Sequence, residues 1–175
     1  MLRLVAARSF AMPDTASVTL PEQLGFGRFF TDRIFVQRYD TQRGWHDARI
    51  TTTKTLELEA AASVLHCGQD VFEGTKAYRR PDGAVNLFRP EKSCERLNAS
   101  ARRMGMPEID VAAHIAAIEQ IVTLEQHWIP TQPGAALYIR PVLIATEPVL
   151  EVRPSEQYLH FILLSPVGPY FGGGL

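Results

Sequence analysis

Cysteine and lysine are both scarce in this chain. Cys67 and Cys94 are its two thiols, too few for a disulfide framework and in keeping with a reducing compartment. Fifteen arginines stand against three lysines, Lys54, Lys76 and Lys92, so chemistry that needs a lysine amine has three positions to choose from. Net charge is small as well: 18 basic against 19 acidic residues leave −1, which gives no reason to expect a nucleic-acid or anionic-membrane partner. No apolar run approaches the ~20 residues that span a bilayer, and a cytoplasmic setting is expected. Phosphate loops are missing, because Gly25-Phe26-Gly27 is a bare GxG without the rest of a dinucleotide or P-loop pattern and reads as a turn. His46, His66, His114, His127 and His160 are scattered without metal-ligand spacing, so no metal ligand is assigned. CxxC and GxSxG are absent too. By spacing alone the chain shows no reaction centre.

What is present is ordinary globular material, 46% hydrophobic and 21% charged over 175 residues. Residues 1–19 hold Arg3 and Arg8 and no acid before Asp14. A transit peptide has that composition, but Pro13-Asp14 interrupts an amphipathic helix early, and a flexible segment over 1–24 is expected instead. At the other end, Ser165 to Gly174 contains two prolines and four glycines, a turn followed by a flexible stretch. We therefore expect a domain over 25–168 and the start of a linker over 169–175.

Patterning predicts α+β: an antiparallel sheet with helices packed on one face. Arg33 to Tyr39 reads as a strand, with a turn at Thr41 to Gly44 and a second short strand through Trp45. Val71 to Tyr78 and Ala84 to Phe88 flank Arg80-Pro81-Asp82-Gly83, a hairpin signal because glycine tolerates positive φ. Pro90 suits a first helical position and Gly105 a left-handed end, with Cys94, Leu97, Ala101 and Met104 on the inner face. Asp110 caps a second helix with Val111, Ile115, Ile118 and Val122 as its apolar stripe. Strands over Ala136 to Ala145 and Tyr158 to Ser165 complete the set.

Leu65-His66-Cys67-Gly68-Gln69-Asp70-Val71-Phe72-Glu73-Gly74-Thr75-Lys76-Ala77-Tyr78 resembles the LHYGQ-x-x-FEG-x-KAY segment of branched-chain amino acid aminotransferases, pyridoxal-phosphate enzymes of fold type IV. The similarity continues through Val85 to Pro90, Arg96-Leu97-Asn98-Ala99-Ser100-Ala101, Leu137-Tyr138-Ile139-Arg140-Pro141 and Ala145-Thr146-Glu147-Pro148, and closes at Ser165 to Phe171. The resemblance implies the family's small N-terminal domain, pyridoxal 5'-phosphate as cofactor, and amino-group transfer between Leu, Ile or Val and 2-oxoglutarate or related 2-oxo acids. It also implies that the lysine linked to the cofactor lies beyond the linker, so that no catalytic residue is assigned here and the 175 residues alone are expected to be inactive.

Carried over residue by residue, Arg96 matches the arginine that binds the cofactor phosphate, where a permanent planar cation on a rigid element is wanted. Phe26 and Phe72 match aromatic walls of the pocket for the aliphatic side chain. Tyr138 and Arg140 match the YIRP residues near the substrate carboxylate. Leu150 and Val152 match loop residues that reach into the neighbouring subunit's pocket, which implies a homodimer. Two positions depart from the pattern: Cys67 stands where the family has a pocket-lining tyrosine, and Glu151 replaces a glycine. The first leaves a roomier pocket with one polar handle fewer. Alternatives are a non-catalytic dimerising module, or another fold type IV activity such as D-amino acid transamination or aminodeoxychorismate lysis.

Overall fold

The computed structural model describes residues 18–169 and the backbone of Leu4–Val5. The remaining residues of the expected flexible segment over 1–24, and the linker from Tyr170 onward, lie outside the described residues. In chain order the elements are β1 (Leu4–Val5), β2 (Ile34–Asp40), β3 (Gly44–Thr51), α1 (Ser63–Cys67), β4 (Asp70–Phe72), β5 (Thr75–Arg79), β6 (Val85–Leu87), α2 (Pro90–Arg103), α3 (Val111–Leu124), β7 (Ala136–Ala145) and β8 (Gln157–Val167). Every strand pairing is antiparallel, in the order β1-β6-β5-β7-β8-β2-β3, with β4 also on β7.

Turn chemistry sets several boundaries. The Asp40 carboxylate accepts the N–H groups of Gln42 and Arg43 at 3.1 and 2.8 Å, closing the β2–β3 turn. β3 then runs on to Thr51, past the Trp45 limit expected from its irregular alternation, because β2 supplies a partner as far as Ile34↔Thr51. The Asp82-Gly83 turn forms as expected, with Gly83 at φ +85 and Arg80 N–H donating to Ala84 O at 2.8 Å. The single strand expected over Val71 to Tyr78 is instead two. β4 pairs with Val142–Ile144 and β5 with Leu137–Ile139. The break falls at Glu73-Gly74, opposite Pro141, which has no N–H to offer a ladder; Glu73 N–H donates to Pro141 O at 3.0 Å. Helix α1 was not expected. It spans five residues, ends at Gly68 in the left-handed region, and is held by Ser63 N–H and Oγ–H, both donating to Glu147 O at 3.0 Å.

Alternation along β7 separates core from site. Leu137, Ile139, Leu143 and Ala145 are fully buried, while Tyr138, Arg140 and Val142 are half-buried, as period two requires. Leu137 and Ile139 pack with Ile118, Ile121 and Val122 of α3. Leu143 and Ala145 pack with Leu97 and Ala101 of α2. A third cluster joins Ile34, Val36, Ile144, Leu159 and Phe161 to Leu56, Leu58 and Val64, so apolar side chains outside α2 and α3 also cover part of the sheet.

Both longer helices start where expected. Pro90 is the first residue of α2, and the Asp110 side chain accepts Ala113 N–H at 2.8 Å to cap α3. Cys94, Leu97 and Ala101 are buried, but Met104 is exposed. The helix ends at Arg103, and Met104 stands at its C-cap, its N–H still donating to Ser100 O at 3.1 Å.

Candidate functional site

Arg89, Lys92, Ser93 and Arg96 line one side of a cleft of about 660 Å³; Gly74, Thr75, Lys76 and Tyr138 face them from the sheet. The register places Lys76 directly opposite Tyr138. Because Ala77 points into the core, Lys76 and Tyr78 project to the side of the sheet that the cleft occupies.

Arg96 does not pair with its helix neighbour Glu95, which instead accepts from Lys92 Nζ at 2.6 Å. Its Nε–H donates to Glu73 Oε1 and its Nη2–H to Glu73 Oε2, the latter at 2.5 Å. Glu73 is nearly buried and also accepts from Gly74 N–H at 3.1 Å and Ser93 Oγ–H at 3.3 Å. Burial alone would raise its pKa. The Arg96 guanidinium, the Gly74 N–H and the Ser93 hydroxyl outweigh that and hold the carboxyl below the usual glutamate range. A guanidinium has five N–H donors, so Nη1 and the second Nη2 proton are left over after the Glu73 pair. Unused donors of a permanent cation beside further basic side chains fit a phosphate dianion.

Sequence reasoning did not assign Glu73. A glutamate between aromatic Phe72 and Gly74 in an apolar run is a signal, since a buried acid needs a cation.

Four other expected residues come together. The Phe26 and Tyr138 rings lie 4.9 Å apart. The Arg140 guanidinium sits 4.3 Å from the Phe72 ring centre and 5.2 Å from that of Tyr138, within cation–π range. Arg140 Nε–H donates to Tyr138 Oη at 3.0 Å. The packing needs glycine at 74: a Cβ there would stand 2.8 Å from Tyr138 Cε2 and 2.9 Å from Cζ. Phe26 and Phe72 remain about half exposed, at 47% and 56%, so their rings are available to a ligand or a covering surface.

Cys67, Leu150 and Val152 lie elsewhere. The β7–β8 connection carrying Leu150 and Val152 leaves β7 at Ala145, seven residues and roughly 24 Å along the strand from Tyr138. The Ala62↔Pro148 bridge ties the start of α1, and so Cys67, to that same end. All three side chains are exposed. Glu147 braces the connection by accepting from Arg153 Nη2–H at 2.6 Å.

The fold also brings Asp32, Glu125 and His127 within 4.8 Å of one another, which scattered sequence positions did not suggest. Arg33 Nη1–H donates to Glu125 Oε1 at 2.7 Å and Asp32 N–H to Oε2 at 3.2 Å. The buried carboxylate thus already has a cation, and the group carries no metal assignment. Among the described residues no helix is long and apolar enough to cross a membrane.

Comparison with family models gives no match. Among solved structures, branched-chain amino acid aminotransferase of Escherichia coli superposes with a TM-score of 0.63 at 22% identity, over 82% of this chain and 42% of that one. The Thermoproteus uzoniensis branched-chain aminotransferase, solved with norvaline, gives 0.65 at 22%, over 81% and 43%. The fold is therefore that of the N-terminal region of these aminotransferases. Curated sequences agree: the chain is 51% identical over 152 residues to branched-chain-amino-acid transaminase 1 of Bacillus subtilis, covering 87% of this chain and 43% of that protein. It is 45% identical over 165 residues to a probable branched-chain-amino-acid aminotransferase of Streptomyces coelicolor, covering 94% and 46%. In sequence and in fold the chain matches the N-terminal part of branched-chain amino acid aminotransferases. It spans less than half the length of these curated relatives.

Proposed function

We propose that this chain forms the phosphate-anchoring, side-chain-selecting part of an aminotransferase that moves an amino group between Leu, Ile or Val and 2-oxoglutarate, with pyridoxal 5'-phosphate as cofactor. The observation that carries the reading is Arg96: a guanidinium with unused donors, opening on a basic cleft shared with Tyr138. In this reading Arg96 holds the cofactor phosphate. Phe26 and Phe72 bound an apolar site, where each buried CH₂ favours the longer side chain by ~0.8 kcal/mol. Tyr138 and Arg140 attend the substrate carboxylate. Leu150 and Val152, 66% and 90% exposed, serve a second copy of the chain in a homodimer. When bound, the cofactor supplies the electron sink that amino-group exchange needs. By the resemblance, the lysine that carries it is not among Lys54, Lys76 and Lys92: Lys76 matches a family lysine that does not link to the cofactor. Lys54 Nζ donates to Thr31 O at 3.2 Å and Lys92 is paired with Glu95.

Cofactor titration tests this directly. Arg96→Ala should weaken pyridoxal-phosphate retention at least tenfold, equivalent to about 1.4 kcal/mol, and unchanged retention would overturn the role. An amino-donor assay, run on the 175-residue polypeptide and on the protein encoded with whatever reading frame follows Leu175, completes the test. Leucine turnover by the polypeptide alone would refute the placement of the covalent lysine elsewhere. A preference for D-amino acids in the longer protein would refute the substrate class.

A further inference from the structure

At the rim of the cleft a buried acid holds an exposed base. Glu73 is 7% exposed while the Arg96 side chain is 69% exposed. An arginine so open on a helix surface samples many rotamers, and an arriving anion would have to freeze them. Here two of its nitrogens are already fixed, and from outside the helix. Glu73 belongs to the β4–β5 break and is itself anchored by its own N–H to Pro141 O at 3.0 Å, and by Gly74 N–H and Ser93 Oγ–H to its carboxylate. The same three-residue stretch places the Phe72 ring against Arg140 and leaves the Cβ-free gap over which Tyr138 lies. Phe72-Glu73-Gly74 thus sets the guanidinium of α2 in register with the sheet side chains across the cleft.

We propose that Glu73 is a positioning residue, which clamps the Arg96 guanidinium by one edge and leaves its other donors preset for a phosphate ester in the cleft. The inference rests on the phosphate role proposed above for Arg96. The clamp places a negative charge near an anion site, so a preset fork and simple competition predict opposite effects when the charge is removed.

Binding of pyridoxal 5'-phosphate and of inorganic phosphate to the 175-residue protein, measured calorimetrically, separates them. Glu73→Gln should weaken both probes about tenfold, equivalent to about 1.4 kcal/mol. Placed on top of Arg96→Lys, which has no planar fork to orient, it should cause no further loss. Equal losses in the two backgrounds would show a general structural contribution and overturn the positioning role. Tighter binding by Glu73→Gln would overturn it as well, by making Glu73 a competitor. Should Glu73→Gln fail to fold, Ser93→Ala removes a single hydrogen bond to the clamp. It should weaken phosphate about twofold, on the scale of a modest net hydrogen bond, and no change there would overturn the role. If Arg96→Lys weakens binding and the Glu73 and Ser93 variants do not, positioning alone fails. If Arg96→Lys changes nothing, or the unaltered protein binds neither probe, the phosphate reading fails and takes the inference with it.

Discussion

Helices α2 and α3 have the same length, 14 residues, and opposite characters. α2 carries six charged residues, Glu91, Lys92, Glu95, Arg96, Arg102 and Arg103, around an inner face of Cys94, Leu97 and Ala101. α3 carries one, Glu119, and buries Ile115, Ala117, Ile118, Ile121 and Val122. Both contribute to the core beneath one sheet, yet only α2 lines the cleft. Work is therefore divided along the chain. α3 supplies apolar cover, and α2 trades some of that cover for cations at an open edge. Even the polar groups differ in kind. Glu73, facing α2, receives several hydrogen bonds, whereas His114 of α3 and His160 of β8 lie 5.2 Å apart with no partner at any ring nitrogen.

Substitutions can sharpen or break that contrast. The largest effect should come from Ile118→Ala in α3, at about 2–5 kcal/mol of stability in urea unfolding, because the site is fully buried and a cavity would remain. A loss below about 1 kcal/mol would mean that α3 is looser than its packing indicates. Next is acid. Burial pushes His114 down from 6.5 to about 4, and burial with His114 nearby holds His160 well below the ordinary histidine value. The unfolded chain therefore takes up protons first as pH falls. Stability is complete above about 6.5 and declines towards 4, with a loss of about 3 kcal/mol from His114. His114→Leu should flatten the dependence between pH 7 and 4.5, and an unchanged slope would place its origin elsewhere.

Gly74→Ala comes third, at about 1–3 kcal/mol, since the added methyl meets the Tyr138 ring. A raised tyrosine fluorescence or altered near-ultraviolet dichroism should accompany it. Asp110→Ala removes the α3 cap for about 1 kcal/mol. Smallest is Lys92→Ala, below about 0.5 kcal/mol because its partner Glu95 is also on the surface. A larger loss there would show that the charged face of α2 is structural, and the division between the helices would blur.

Signals that act over a few residues were legible in the sequence: Pro90 and Asp110 at helix starts, Asp82-Gly83 in a hairpin, and the extent of β7. The misreadings share a cause. The break at Glu73-Gly74 answers to Pro141 and Tyr138, more than sixty positions onward; α1 depends on Glu147; and β3 is extended by its partner strand. The site divides in the same way. Arg96, Phe26, Phe72, Tyr138 and Arg140 were named from motif resemblance and occupy one side of the fold, with Phe26 against Tyr138 and Arg140 against both Tyr138 and Phe72. The partner of Arg96 stayed hidden, because the carboxylate it holds lies 23 positions back along the chain, at the β4–β5 break.

The two thiols make a chemical clock of this architecture. Cys67 is solvent-exposed at the end of α1, while Cys94 is sealed beneath α2, with a thiol that burial raises to about 11. A maleimide dye should tag the first promptly and the second only when α2 lifts from the sheet, so the mass of the slow adduct would time the opening of the helix that bears Arg96.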